Sequence, residues 1–274
     1  MNPTNINVEA TEVLTFPTGT SPEDMAKAIQ SKMTSLSARG EVPSAPIVNP
    51  YEDRIFKESE EYQGKKRAIV LYPDELLTYV SQPAEPSDFA GTSMCFPNRD
   101  STLSQFAADL VATATACDAA GLSAIQVGVA LRMCVVRIST MAGKYVVLVN
   151  PNVHPVEGTK CEFVTEGCLS FPGVTEKVER YCHVNVEYQD LQGEHRMMTL
   201  TVDGATGPAA QAVQHEVEHL DGKLLLSHLN IVHRDRVRAH MKRVHRNLNK
   251  VFNMTGGKVS SSQALFGYVP DPVS

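Results

Sequence analysis

The sequence predicts an α+β domain in which mixed, mainly antiparallel strands surround one central helix. Three patterns carry that prediction. Met133–Ile138 and Tyr145–Asn150 are apolar, β-branched runs on either side of Ala142-Gly143, a hairpin pattern. Val184–Tyr188 and Met197–Val202 repeat it around Asp190-Leu191-Gln192-Gly193. Pro208 suits the first turn of a helix that Gly222 can end.

In chain order, residues 1–66 read as an extension. Ser21-Pro22-Glu23-Asp24 offers an N-cap, a first-turn proline and early acids, and Met25, Ile29, Met33 and Leu36 share one helical face. Pro43–Pro50 and the charged run Glu52–Lys66 read as linker. A flexible or surface-packed tail is expected here, the alternative being a helix that covers part of the main body. That body spans 67–250 and opens with a short strand at Ile69–Leu71. Leu103–Ala120 follows as a helix, with Phe106, Leu110, Ala114 and Cys117 at helical spacing. Lys223–Lys250 holds eight Lys or Arg and one acid, and Leu225, Leu229 and Val232 confine its apolar face to the start. It reads as a basic, solvated helix. Residues 251–274, with Gly256-Gly257 and serines at 260–262, read as a mobile tail.

Composition narrows the function classes. At 274 residues and 29.9 kDa the chain can bury one sizeable core. A net charge of -6 argues against bulk attraction to nucleic acid, and no specific nucleic-acid partner is expected. The six cysteines (95, 117, 134, 161, 168, 182) have no disulfide-scaffold spacing, and no secretory segment opens the chain. Apolar runs fall far short of a membrane span. A reducing, cytoplasmic location without membrane contact is the expectation.

The chemistry concentrates in Gln214-His215-Glu216-Val217-Glu218-His219. Histidines four apart stack on one helix face, where both imidazoles can bind one metal ion. Glu216 adjoins a ligand and can reach a metal-bound water without being a ligand itself. With 9 His in 274 residues, roughly 0.02 such matches arise by chance, so two unrelated surface histidines are a poor alternative. The best third ligand is Cys168 in Glu166-Gly167-Cys168-Leu169-Ser170, where Gly167 admits close backbone approach and Leu169 offers an N–H beside the ligand. Alone, Cys168 would read as a buried apolar cysteine. Three protein ligands with one open position mark a catalytic metal site. In Gly121-Leu122-Ser123-Ala124-Ile125-Gln126-Val127-Gly128, Gln126 is a polar donor in an apolar run, suited to a developing oxyanion. A helix end turning into a buried strand explains that segment equally well. His154, His183, His195, His228, His233, His240 and His245 lack ligand spacing and read as structural or exposed.

In order and spacing, these three segments resemble the motifs of the peptide deformylase family, over about Arg67 to Lys250. Ile69-Val70-Leu71-Tyr72-Pro73-Asp74 resembles the family's opening segment, and Leu220-Asp221-Gly222 its usual motif ending. The resemblance implies a deformylase-like fold and one divalent ion on Cys168, His215 and His219. Fe²⁺ is the implied working ion, with Zn²⁺, Ni²⁺ or Co²⁺ as other occupants. It implies Glu216 as proton carrier, with Gln126 and the Leu169 N–H facing the oxyanion. The substrate would be the N-formylmethionyl end of a nascent peptide, lying along Ala120, Gly121 and Gly167. Its methionine would face Pro208, Gln211 and Ala212. Glu166 would pair with Arg180 and fix the strand that presents Cys168. A ribosome contact through the basic C-terminal helix is also implied.

Some positions depart from the family pattern. Ala119 replaces a glycine, Ser123 an alanine, Glu218 an aspartate and Thr175 a frequent arginine. Gln211 and Ala212 stand where aliphatic residues usually meet the methionine, which points to a smaller, more polar pocket. Two other readings compete. A zinc peptidase would take its third ligand from a downstream His or Glu, and the cysteine argues against it. A non-catalytic relative that binds ribosome or nascent chain would be expected to lose a ligand or the base, and here all are retained.

Overall fold

The computed structural model describes residues 4–9, 12–16, 54, 56, 63–90, 101–138, 144–156, 158–159, 163–202 and 207–271. The chain divides into two compact units, 1–53 and 54–274. In the first, β1 (Thr4–Glu9) and β2 (Glu12–Phe16) form an antiparallel pair. The helix expected over Ser21–Leu36 lies outside the described residues.

The second unit is built on a five-stranded antiparallel sheet in the order β3-β4-β5-β8-β9. Its strands are β3 (Gly121–Ser123), β4 (Met133–Arg137), β5 (Tyr145–Pro155), β8 (His183–Gln189) and β9 (His195–Thr201). Both hairpins predicted from sequence are present as antiparallel neighbours. The turn at Ala142-Gly143 lies outside the described residues. A separate pair, β6 (Phe163–Gly167) and β7 (Thr175–Glu179), sets Gly167 opposite Thr175.

Helix α1 (Leu103–Ala116) starts at a capping box in which Thr102 and Gln105 each accept a backbone N–H. It stops before the expected Ala120, because Cys117 caps it and Asp118 turns to φ 49. Its apolar face (Phe106, Leu110 and Ala114 among others) joins Leu122, Met133, Val135 and Tyr145 in the main core. Helix α2 (Gly207–Leu220) packs against β3, β4, β5 and β9. Gly222 follows at φ +72, where a Cβ would lie 2.5 Å from the Thr78 carbonyl oxygen, so only glycine fits this stop. The resulting α+β architecture agrees with the predicted class.

Three expectations are corrected. Ile69–Leu71 is extended but forms no regular strand: the Val70 N–H donates to the Gln126 carbonyl and the Tyr72 N–H to the Ser170 carbonyl. The segment therefore straps together the two loops that carry Gln126 and Cys168. Helix α3 (Ile231–Met254) continues past residue 250 and buries Val237 and Met241, a different face from the one read at its start. Residues 261–266, expected as part of a tail, form helix α4 (Ser261–Phe266). Beyond it the buried Tyr268 donates its hydroxyl proton to the Arg67 carbonyl at 2.7 Å. No helix among the described residues is long and apolar enough to cross a membrane.

Candidate active site

Helix α2 carries His215 and His219 one turn apart, with their rings edge-on and centroids 4.8 Å apart. Their Nε2 atoms lie 3.2 Å from each other. Cys168 arrives from the end of β6 through a tight loop in which the Phe171 N–H returns to the Cys168 carbonyl. Its Sγ lies 3.2 Å from His219 Nε2. Donor atoms of all three residues fall within 4.8 Å of one another.

Behind the ligands stands a charged brace. Arg180 grips Glu166 with two bonds, Nε to Oε1 at 2.6 Å and Nη2 to Oε2 at 2.7 Å. Glu166 Oε2 also faces His215 Nδ1 at 3.2 Å. Arg180 Nη1 reaches Glu218 at 2.7 Å, and the other Glu218 oxygen meets His228 Nε2 at 2.8 Å. The glutamate at 218, one carbon longer than aspartate, thus links Arg180 to His228. Burial alone would raise Glu166, but Arg180 and His215 outweigh it and hold the carboxyl at about 2.

Burial would likewise lower His215, yet Cys168 and Glu166 pull it well above its ordinary value. Burial, with His215 and Arg180 nearby, drives His219 well below. The cluster therefore attracts one positive charge to a buried place. A thiolate and two imidazoles are a donor set suited to a borderline divalent ion, and a carboxylate behind a histidine is its usual outer support. The residues present fit a metal.

Glu216 is buried on the same helix, and its Oε2 has no hydrogen-bond partner among the described residues. Burial pushes its carboxyl up to about 7, against the lowering effects of His215 and Ser123. Gly121 lies directly against it: a Cβ there would sit 2.7 Å from Glu216 Cγ. The Ser123 N–H and hydroxyl both donate to Gln126 Oε1, at 3.0 and 2.8 Å. That fixes the amide with Nε2 turned to Cys168 Sγ (3.5 Å) and Ser170 Oγ (3.4 Å). The Leu169 N–H makes no hydrogen bond among the described residues.

Gln126, Glu166, Cys168, His215 and Glu216 line one cleft of about 520 Å³, which also takes in Ala120, Gly121, Gly167, Leu169, Gln211 and Ala212. His219 is buried outside that lining, as are Ser123 and Arg180. Sequence reasoning missed Ser123 as the anchor of Gln126, and it missed Leu265 and Phe266 of α4, which line the same cleft. No local pattern marks those two; only the return of the chain after α3 brings them there.

Comparison with known proteins agrees with this geometry. The polypeptide deformylase family model matches residues 66–235. The chain belongs to the polypeptide deformylase family. A peptide deformylase of Hahella chejuensis is 34% identical over 181 residues, which cover 66% of this chain and 97% of that one. A peptide deformylase of Helicobacter pylori is 33% identical, covering 65% and 94%. Among solved structures, the peptide deformylase of Legionella pneumophila has a TM-score of 0.53 at 28% identity, covering 66% of this chain and 96% of that one. That of Ehrlichia chaffeensis also has a TM-score of 0.53, at 26% identity and with coverage of 66% and 98%. This deformylase-family chain is thus a metal-dependent hydrolase by kinship.

Proposed function

We propose that the chain removes the formyl group from N-formylmethionyl ends of newly made polypeptides and that Cys168, His215 and His219 hold the divalent ion it needs. One observation carries the residue assignment: a sulfur and two imidazole nitrogens converge within 4.8 Å beside a buried carboxyl that titrates near neutrality. A bound divalent ion polarises a carbonyl oxygen and lowers the pKa of water from 15.7 toward about 7. Fe²⁺ suits the thiolate-imidazole set, as do Zn²⁺, Ni²⁺ and Co²⁺.

The chain's own residues do the rest. Glu216 takes a proton from the attacking water, whose oxygen bonds to the formyl carbon. The Gln126 Nε2 and the Leu169 N–H donate to the oxygen that gains charge; losing one such donor typically costs about 2.7–4 kcal/mol of barrier stabilisation. Glu216 then passes its proton to the amine nitrogen as the C–N bond breaks, leaving formate and a free methionyl terminus. Ala120, Gly121 and Gly167 give the peptide backbone room, and Gln211 and Ala212, with Pro208, meet the methionine. Glu166 and Arg180 hold His215 and the Cys168 strand in place.

For partners, the exposed Arg236, Arg238, Lys242, Arg243 and Lys250 of α3 support a contact with the ribosome, and the cytoplasm is the matching location.

The test is formate release from a formyl-Met tripeptide by anaerobically purified protein, with Glu216→Ala alongside. Release that vanishes in the variant while the metal stays bound is the expected outcome. An iron- or nickel-loaded wild type that releases no formate refutes the proposal.

A further inference from the structure

We propose that α4 is a specificity wall of the cleft, and that Leu265 and Phe266 select formyl-peptides carrying an apolar side chain directly after the methionine. This rests on the deformylase reading above and deepens it. The wall comes from residues beyond the 66–235 stretch that matches the family.

The cleft has two kinds of side. On one lie Pro208, Gln211 and Ala212, from the first turns of α2. On another lies the link Cys117–Ala120, which runs from α1 into Gly121 beside Glu216. Helix α4 is built onto that link. Phe266 and Cys117 pack on the same main core and line the same cleft. In an extended peptide successive side chains point to opposite sides. A methionine turned toward Pro208, Gln211 and Ala212 therefore turns the next side chain to another side of the cleft, where Leu265 and Phe266 offer apolar surface.

The wall is held in place, as specificity requires. The Ile69 N–H donates to Ser262 Oγ at 3.4 Å, and Tyr268 donates to the Arg67 carbonyl at 2.7 Å. Asp271 closes the attachment with a pair of bonds to Lys66: its carboxylate accepts the Lys66 N–H at 2.8 Å, and its own N–H donates to the Lys66 carbonyl at 2.8 Å. The ring of Phe266 stacks on Tyr268 with centroids 6.3 Å apart. Apolar surface fixed this way rewards an apolar partner and leaves a polar one without hydrogen bonds.

The experiment compares formyl-Met-Leu-Ala with formyl-Met-Ser-Ala on the metal-loaded wild type, Leu265→Ser and Phe266→Ala. Wild type is expected to favour the leucine peptide by about tenfold, mainly through KM. Both variants should bring the two peptides within about twofold, chiefly by raising KM for the leucine peptide. Leu265→Ser guards against a folding artefact, since Leu265 lies outside the main core cluster that Phe266 joins; melting temperatures identify any unfolded variant. Equal wild-type kcat/KM for both peptides overturns the inference, as does a preference that survives both substitutions or an equal loss on both peptides. Turnover of neither peptide by wild type overturns the deformylase reading and this inference with it.

Discussion

Glu216 shows how the site trades stability for chemistry. Its buried carboxyl titrates at about 7, above the ordinary 4.5. A raised folded value means that its contribution to stability is full below 4.5 and is lost as pH rises through about 7. In metal-free protein that loss amounts to at most about 3 kcal/mol. Glu216→Gln should therefore melt higher than wild type at pH 8 when both are metal-free, and should release no formate when both are metal-loaded. Equal melting temperatures at pH 8 would contradict this account. Glu166 has the opposite sign. Its carboxyl is depressed to about 2, so its contribution is present above 4.5 and disappears as pH falls from 4.5 toward 2. Glu166→Gln breaks the two-bond grip of Arg180, which keeps only Glu218, and should cost about 3 kcal/mol at pH 7. The same change should flatten acid unfolding between those two values. Urea titration at pH 7 and pH 3 measures both effects.

At the scale of elements, what was legible depended on whether a residue's role is local. His215, Glu216 and His219 sit on one turn of one helix, so spacing alone placed them together. Cys168 needed the β6–β7 pair to bring it across, and only its motif suggested that. Ser123 was within reach of spacing as well: Ser123 and Gln126, three apart, are a capping-box pair that closes the tight turn at Ala124–Val127. Helix α3 was misphased for a physical reason. Its charged residues dominate the pattern, yet it docks through Val237, Met241 and a set of histidines that spacing marked only as non-ligands. His233 meets Glu176 of β7 at 3.0 Å, His240 the Pro172 carbonyl at 3.0 Å, and His245 the Tyr72 carbonyl at 2.6 Å. Pro172 belongs to the loop that follows Cys168, so the helix braces the strand pair that carries a predicted ligand. Met241 is buried in the cluster that also contains Cys168 and Phe171. Met241→Ala should cost about 2–4 kcal/mol and weaken metal retention alongside. Chelator-release rates check the second effect, and a variant that loses stability but holds its metal as wild type does would separate α3 from the site.

Across the whole molecule, α4 and the residues around it lie beyond the family-matched stretch of 66–235. The sequence pattern of 255–271 is rich in glycine and serine, and composition alone gives no cause to expect packing. The fold supplies one: once α3 has carried the chain along the body, α4 and Tyr268 close on the residues that open the core, 66–69. The opening of the core and the last described residues are thereby joined beside Cys117, whose thiol burial pushes up to about 11. Tyr268→Phe keeps the ring but removes the donor to the Arg67 carbonyl. Leaving that buried acceptor without its partner should cost about 1–2 kcal/mol. In a body of this size the melting temperature should then fall by about 2–6 °C. If the junction positions the cleft wall as well as stabilising the fold, the same variant should raise KM for formyl-Met-Leu-Ala more than for formyl-Met-Ser-Ala. A fall in melting temperature with both KM values unchanged would make the closure purely a matter of stability and leave α4 fixed by its own packing on the main core.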